Sequence, residues 1–271
     1  MLQAQVDKAQ KPYWESKWKD GGLPLPANPG DTRWNNYLVR EINRFFCNSI
    51  STLSRRPERV LELGCANSQW LPYFALEFGL DAWGIDYTEV GCARSREIMR
   101  RACLRPQQIL CADLFEPPLF MQSMFDLVVS FGVIEHFADT ADCIRACARY
   151  LRPDGTLITL IPNQRGLNGF MQKHVDRAIF DKHVPLTLRQ LVRANESAGL
   201  KELLSTYIGV FNFGVLDLGE FATPALRRFI MLWGCRLTSI LGRLHEAGFP
   251  LWPNRITSSY MACAATKPSC V

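Results

Sequence analysis

The stretch Val60-Leu61-Glu62-Leu63-Gly64-Cys65-Ala66-Asn67-Ser68, within the segment from Arg59 to Asp86, decides how this chain is read. A short apolar run ending in an acidic residue and then Gly is the pattern of a buried parallel strand that empties into a tight turn. Tyr73 to Phe78 can follow as a helix, and the next apolar run, Ala82-Trp83-Gly84-Ile85, ends at Asp86. That carboxylate falls near the spacing of roughly 20 residues at which a second strand presents an acid to a ribose. The outline is that of a nucleoside site. A dinucleotide fingerprint, Gly-x-Gly-x-x-Gly, fails twice here, because its later glycines fall on Ala66 and Gln69. The pattern acidic-x-Gly-x-Gly-x-Gly is met at Glu62 and Gly64, with the small Ala66 and Ser68 in its other two places.

On these residues the chain resembles the class I methyltransferases that use S-adenosylmethionine, and two later stretches extend the resemblance. The run Met124 to Phe131 reads as a fully buried strand and empties into Gly132-Val133-Ile134-Glu135-His136-Phe137, similar to the strand-four exit of small-molecule methyltransferases. The turn Leu151-Arg152-Pro153-Asp154-Gly155, followed by a strand from Thr156 to Ile161 and the stop Pro162-Asn163, is similar to the family's fifth-strand signature. The resemblance implies an α/β fold with a seven-stranded, doubly wound, mostly parallel sheet whose last strand enters antiparallel. It implies S-adenosylmethionine as cofactor, held by Glu62, Gly64, Cys65, Ala66, Ser68, Asp86, Tyr87, Asp113, Leu114 and Phe131. Glu62 would orient the cofactor's amino end and Asp113 would bind the adenine amino group; a cap or turn role is the alternative for each.

Composition bounds the remaining readings. At 271 residues and 48% hydrophobic content, the chain suits one large α/β domain with elaborations. A net charge of +5 from scattered basic residues does not describe a nucleic-acid footprint. Ten cysteines without Cys-x-x-Cys or a paired Cys/His spacing argue for free thiols and against zinc, so no metal site is expected. The polar opening lacks the apolar core of a secretory leader, and a reducing, cytoplasmic setting is expected.

Four regions follow from the patterning. Residues 1–50 form an arm, rich in Gly and Pro, and a helix from Asn35 to Ser49; residues 51–210 form the cofactor-binding core. Residues 211–255 are an inserted helical cap over the substrate side, and 256–271 hold a last strand, Ile256 to Thr266, and a tail. The arm's Tyr13, Trp14, Trp18 and Tyr37, with the cap's Phe211 and Phe213, are the candidate acceptor contacts, or else they staple arm and cap to the body. Asn163 to Pro185 reads as a long connection, Thr187 to Ala198 as a helix, and Leu203 to Val210 as a strand. Within the cap, Pro224 to His245 reads as one helix with a broad apolar stripe and four arginines. Packing of that stripe on the enzyme body is the first expectation; weak membrane contact through 224–245 or a homodimer surface are the alternatives.

The chemistry expected is transfer of a methyl group to oxygen, nitrogen or sulfur of a small metabolite by in-line displacement. His136 and His183 are the candidate bases, each with a structural hydrogen-bonding role as its alternative. A membrane-associated methyltransferase of a quinone or lipid precursor is the next reading. An RNA methyltransferase is disfavoured, because Phe131-Gly132-Val133-Ile134 stands where base-flipping enzymes carry Asp/Asn-Pro-Pro-aromatic. A protein that binds cofactor without turnover is the remaining alternative.

Overall fold

The computed structural model describes residues 7–19, 21–219 and 223–269. The outermost part of the expected arm (1–6), residue 20, a short piece of the cap (220–222) and the end of the tail (270–271) lie outside the described residues. The chain opens with α1 (Lys11–Lys17) and α2 (Tyr37–Ser51), then runs through β1 (Arg59–Leu63), α3 (Trp70–Phe78), β2 (Asp81–Asp86) and α4 (Glu89–Arg101). It continues with β3 (Ile109–Cys111), β4 (Phe125–Phe131), α5 (Thr140–Ala148) and β5 (Leu151–Pro162). Helices α6 (Leu167–Val175), α7 (Arg177–Asp181) and α8 (Leu188–Ser197) lead to β6 (Lys201–Ile208), and α9 (Pro224–Glu246) precedes β7 (Tyr260–Thr266).

All seven strands join one sheet in the order β3-β2-β1-β4-β5-β7-β6. The first five pair in parallel, and β7 runs antiparallel between β5 and β6. The α/β, doubly wound class expected from the sequence is therefore the observed one. Both faces of the sheet are covered, which is why β4 is buried from Phe125 to Ser130 without alternation. Successive strand residues feed opposite cores. Val60, Leu127 and Val129 pack with α2 and α3, whereas Leu61, Leu63 and Val128 pack with α5 and α8. Side chains at N-cap positions start several of these helices: among them, Thr88 accepts from Gly91 N, Asp139 from Asp142 N, and Thr187 forms a capping box with Gln190.

Four local expectations are corrected. The Leu151–Gly155 stretch is not a free turn but the first part of β5, joined to β4 through a register shift, with Asp154 at φ 60°. The connection from Asn163 to Pro185 contains α6 and α7, each too short to announce itself by periodicity. The last strand begins at Tyr260, because Asn254 organises the residues before it: its side chain accepts from Ile256 N and Thr257 N. Strand β6 likewise lies two residues earlier than its apolar pattern suggests.

The largest correction concerns α9. Most of its apolar stripe does not pack on the body: Leu226, Phe229, Trp233, Leu237, Ile240 and Leu244 are exposed, Phe229 to 57% and Trp233 to 53%, while Leu241 is half-buried and Ile230 packs against Phe211, Leu216 and Leu218. The contact face is instead the row of small residues Gly234, Thr238 and Gly242, the buried positions of the helix. A side chain on Gly234 would overlap the ring of Phe213, and one on Gly242 would overlap the ring of Tyr37. Thr238 Oγ1 accepts from Phe213 N at 3.0 Å, and Arg40 holds Glu246 through bonds of 2.6 and 2.8 Å. Among the described residues no helix is long and apolar enough to cross a membrane.

The aromatic centre of the first core is Phe46 of α2, fully buried, with ring centroids of Trp70, Tyr73, Phe74 and Phe131 at 5.0–5.8 Å. Phe46→Ala is expected to lower the unfolding free energy by about 3–5 kcal/mol, the cost of a large core truncation, in urea denaturation followed by tryptophan fluorescence. A loss under about 1 kcal/mol would show that the cluster closes up without it.

Candidate active site

Strands β1, β2 and β3 are neighbours in the sheet, and the carboxyl ends of β1 and β2, with the loop after β3, carry Glu62, Asp86 and Asp113 to the wall of one cavity of about 430 Å³. The turn after β1 is shaped by Gly64, at φ 72°, where a Cβ would overlap the side chain of Val133. Its N–H and that of Cys65 both donate to Ile85 O, at 2.8 and 3.1 Å, which ties the turn to the end of β2. Asp86 completes the tie: Oδ2 accepts from Ala66 N at 3.2 Å, while Oδ1 accepts from Thr88 N and Thr88 Oγ1 at 2.8 and 2.6 Å.

Glu62 is 1% exposed, and the Ser68 hydroxyl, at 2.7 and 2.8 Å from its two oxygens, is its donor. The same Ser68 oxygen accepts from Trp70 N and Leu71 N and so starts α3. Burial pushes the Glu62 carboxyl up to about 8; the Ser68 bond opposes this and the nearby Asp86 charge adds to it. Burial raises Asp86 as well, against its bonds from Thr88 and Ala66. Asp113 is exposed at the rim, where it both lines the cavity and accepts from Phe115 N at 2.9 Å, so the turn role and the site role coincide.

The cavity's roof is the arm. Trp14 and Trp18 stack at 5.8 Å and line it, and Asp7 Oδ2 accepts from the hydroxyl of Tyr87 at 2.6 Å. Arg94 of α4 reaches from Asn67 in the turn to the carbonyls of Gly21 and Gly22 in the arm, and Lys17 pairs with Asp217. At the far wall Trp70 stacks on Phe131 at 5.6 Å, and His136 lines the cavity behind Trp14. The His136 ring is almost fully buried, which, together with the adjacent His183, lowers its pKa to about 4.

Of the residues singled out in the sequence, Glu62, Gly64, Ala66, Ser68, Asp86, Tyr87, Asp113, Leu114, Phe131, His136, Trp14 and Trp18 all meet at this cavity. Others do not. Cys65 turns its thiol into the core beside Gly84, and Tyr13 lies under the ammonium of Lys182 at 4.5 Å. Tyr37, Phe211 and Phe213, expected at the acceptor, pack behind α9 instead. His183 stands behind His136, with ring centroids 4.5 Å apart and no share in the wall. Sequence reasoning missed Thr88, Trp70, Asp7 and Arg94. Only Thr88 carried a local signal, as a helix cap directly after the strand acid.

Three acids at consecutive strand ends, an aromatic wall and a helix cap suit a ligand with an ammonium, a ribose diol and an adenine amino group. The sequence profile of the methyltransferase domain family matches residues 34–205. The chain belongs to the class I S-adenosylmethionine-dependent methyltransferases. It is 36% identical over 105 residues to a candidate S-adenosylmethionine-dependent methyltransferase of Mycobacterium tuberculosis, covering 39% of this chain and 36% of that one. A ubiquinone biosynthesis O-methyltransferase of Pseudomonas syringae is 31% identical over 100 residues, covering 36% and 41%. The chain thus spans about two fifths or less of the length of these curated relatives. In fold, this methyltransferase is similar to a candidate sarcosine dimethylglycine methyltransferase of Galdieria sulphuraria, with TM-score 0.60, 16% identity and coverage of 98% and 100%.

The raised pKa of Glu62 makes a measurable prediction. A carboxyl with a pKa near 8 carries its proton at pH 7, and an ammonium brought against it stabilises the ionised form. S-adenosylmethionine binding at pH 7 is therefore expected to release up to about one proton from Glu62, and affinity should rise as pH climbs toward 8. Calorimetry in buffers of different ionisation enthalpy reads the release. Glu62→Gln should abolish it, and an unchanged release in that variant would take the ammonium away from Glu62.

Proposed function

We propose that the protein transfers a methyl group from S-adenosylmethionine to an oxygen, nitrogen or sulfur of a small, largely apolar molecule by in-line displacement. The carrying observation is that the cavity walled by Glu62, Asp86 and Asp113 adjoins a second, apolar chamber of about 240 Å³. Gln69, Trp70, Phe131 and Gly132 border both spaces. The remaining walls of the chamber, Leu38, Val39, Ile42, Leu160 and Pro162, favour an apolar acceptor body at about 25 cal/mol per Å² buried. Tyr260, whose hydroxyl burial pushes up to about 12, offers a proton donor there.

Glu62 would hold the cofactor's ammonium, Asp86 its ribose and Asp113 its adenine amino group. Bound there, S-adenosylmethionine supplies an electrophilic methyl on a sulfonium. The protein's part is to exclude water with the Trp70–Phe131 stack and to fix the acceptor in line, an effect worth roughly 7–11 kcal/mol in well-oriented reactions. His136 is the one imidazole lining the cavity among the described residues. Its Nδ1 faces Lys182 O at 2.8 Å, which leaves Nε2 as the proton-accepting atom for a hydroxyl or ammonium acceptor. His183 acts by holding that ring in place.

The test follows S-adenosylhomocysteine formation across phenol, amine and thiol acceptors and measures cofactor affinity by calorimetry. Asp86→Ala is expected to weaken binding at least tenfold, as loss of a hydrogen bond to a charged group does. Unchanged affinity would move the cofactor elsewhere. Binding without turnover would favour the binding-only alternative, and tight, salt-sensitive RNA binding an RNA acceptor.

A second reading, in which the acceptor is taken from a membrane surface, is favoured by the outer face of α9. Phe229, Trp233, Leu237 and Ile240 continue into exposed Phe249, Trp252 and Ile256. Arg227, Arg228, Arg236, Arg243 and Arg255 accompany them, while Glu246, the segment's one acid, is held by Arg40. Apolar and cationic together, this surface suits an anionic lipid bilayer. The full chain is expected to float with vesicles containing phosphatidylglycerol, less so at high salt, and the double variant Phe229→Glu/Trp233→Glu should lose about tenfold or more of that binding. Concentration-dependent dimers in sedimentation, without flotation, would assign the face to a second copy of the chain.

A further inference from the structure

We propose that Glu135, His136 and His183 form a binding site for a first-row divalent cation. Glu135 and His136 lie in the short helical turn Ile134–His136 that follows β4, and His183 comes from the segment after α7. The two segments are bonded to each other: Val184 N donates to Glu135 O at 2.6 Å, and Lys182 O stands 2.8 Å from His136 Nδ1. One donor atom from each of the three side chains lies within 4.8 Å of the others.

Both imidazoles are prepared in the same way. His136 Nδ1 faces Lys182 O at 2.8 Å and His183 Nδ1 faces Ile179 O at 2.9 Å. A carbonyl oxygen only accepts, so each Nδ1 carries the hydrogen and each Nε2 keeps its lone pair. This is the arrangement by which metal-binding histidines are held, with the ring nitrogen opposite the metal donating to a backbone carbonyl. The two rings are 4.5 Å apart.

Glu135 is the independent observation. It is 1% exposed, and neither carboxylate oxygen has a hydrogen-bond partner among the described residues. The other buried acids of this molecule are satisfied: Glu62 by Ser68, Asp86 by Thr88 and Ala66, and Asp126 by Arg55, Arg152 and two backbone N–H groups. An unpartnered buried carboxyl is destabilising, and a cation beside it removes that cost. Two imidazoles and one carboxylate suit zinc, cobalt or ferrous iron, and three protein ligands leave a position open. Donor atoms about one such ion stand roughly 3.3 Å apart at bond lengths of 2.0–2.1 Å, so loading draws the three groups together. Because His136 lines the cavity, the open position would take the acceptor's oxygen or nitrogen and ease its loss of a proton. That last role rests on the acceptor reading above; the site does not. With the ion in place, His136 Nε2 is a ligand, and the ion takes over its part in deprotonation.

The test is titration of the metal-stripped full chain with Co²⁺ in the absence of cofactor and acceptor, read by the visible d–d bands and by calorimetry. One equivalent is expected to bind with a Kd of about 10 µM or tighter and to be displaced by Zn²⁺. Glu135→Gln and His183→Ala should each weaken binding by about 100-fold, while His174→Ala, at an exposed helix position, leaves it unchanged. S-adenosylmethionine binding by each variant reports that it is folded, and if Glu135→Gln does not fold, the half-buried His183→Ala decides. No saturable band up to about 1 mM Co²⁺, or a band that persists in the folded His183→Ala variant, overturns the assignment. Either result leaves the methyltransferase reading untouched.

Discussion

The carboxylate of Asp86 joins three pieces of chain at one point, and the cofactor cavity exists because it does. One of its oxygens takes the N–H of Ala66, in the turn that leaves β1; the other takes the N–H and hydroxyl of Thr88, which caps α4. The helix is thereby held so close to the turn that Gly91 has no room for a side chain: a Cβ there would stand 2.6 Å from that of Ala66 and 2.9 Å from Asp86 Oδ1. This close approach also explains how the turn works with Ala66 where the family pattern has a glycine. The methyl group occupies space that Gly91, on the opposite side, leaves free.

Ser68, the other departure from the glycine pattern, adds a function. Its oxygen receives two N–H groups at the start of α3 while its hydrogen serves Glu62. A glycine could do neither. The result is a buried acid held by Ser68 with a second acid nearby, an environment that disfavours negative charge.

Much of this was legible in the chain itself. Parallel strands announce themselves as short apolar runs, their exits carry the acids, and sheets of this kind gather such exits on one edge, so Glu62, Asp86 and Asp113 could be placed together. What periodicity cannot report is which side of an amphipathic helix faces the body. In α9 the apolar stripe was the obvious inward face, yet Gly234, Thr238 and Gly242 allow a closer approach than any stripe of leucines, and the rings of Tyr37 and Phe213 fill the gap. The same packing keeps those two aromatics out of the walls of both cavities. Neither Glu135 nor His183 suggested a metal site, because about fifty residues separate them and only the strand-four turn and the segment after α7 bring them together.

The roof has a mechanical consequence. Trp14 and Trp18 are part of the cavity wall, and their segment is fastened through Asp7 to Tyr87, through Lys17 to Asp217, and through Arg94 to the carbonyls of Gly21 and Gly22. Parting of these latches would take both indoles out of the wall and open the cavity on the arm's side. What holds the arm down is therefore also what keeps two aromatic rings against anything seated in the cavity.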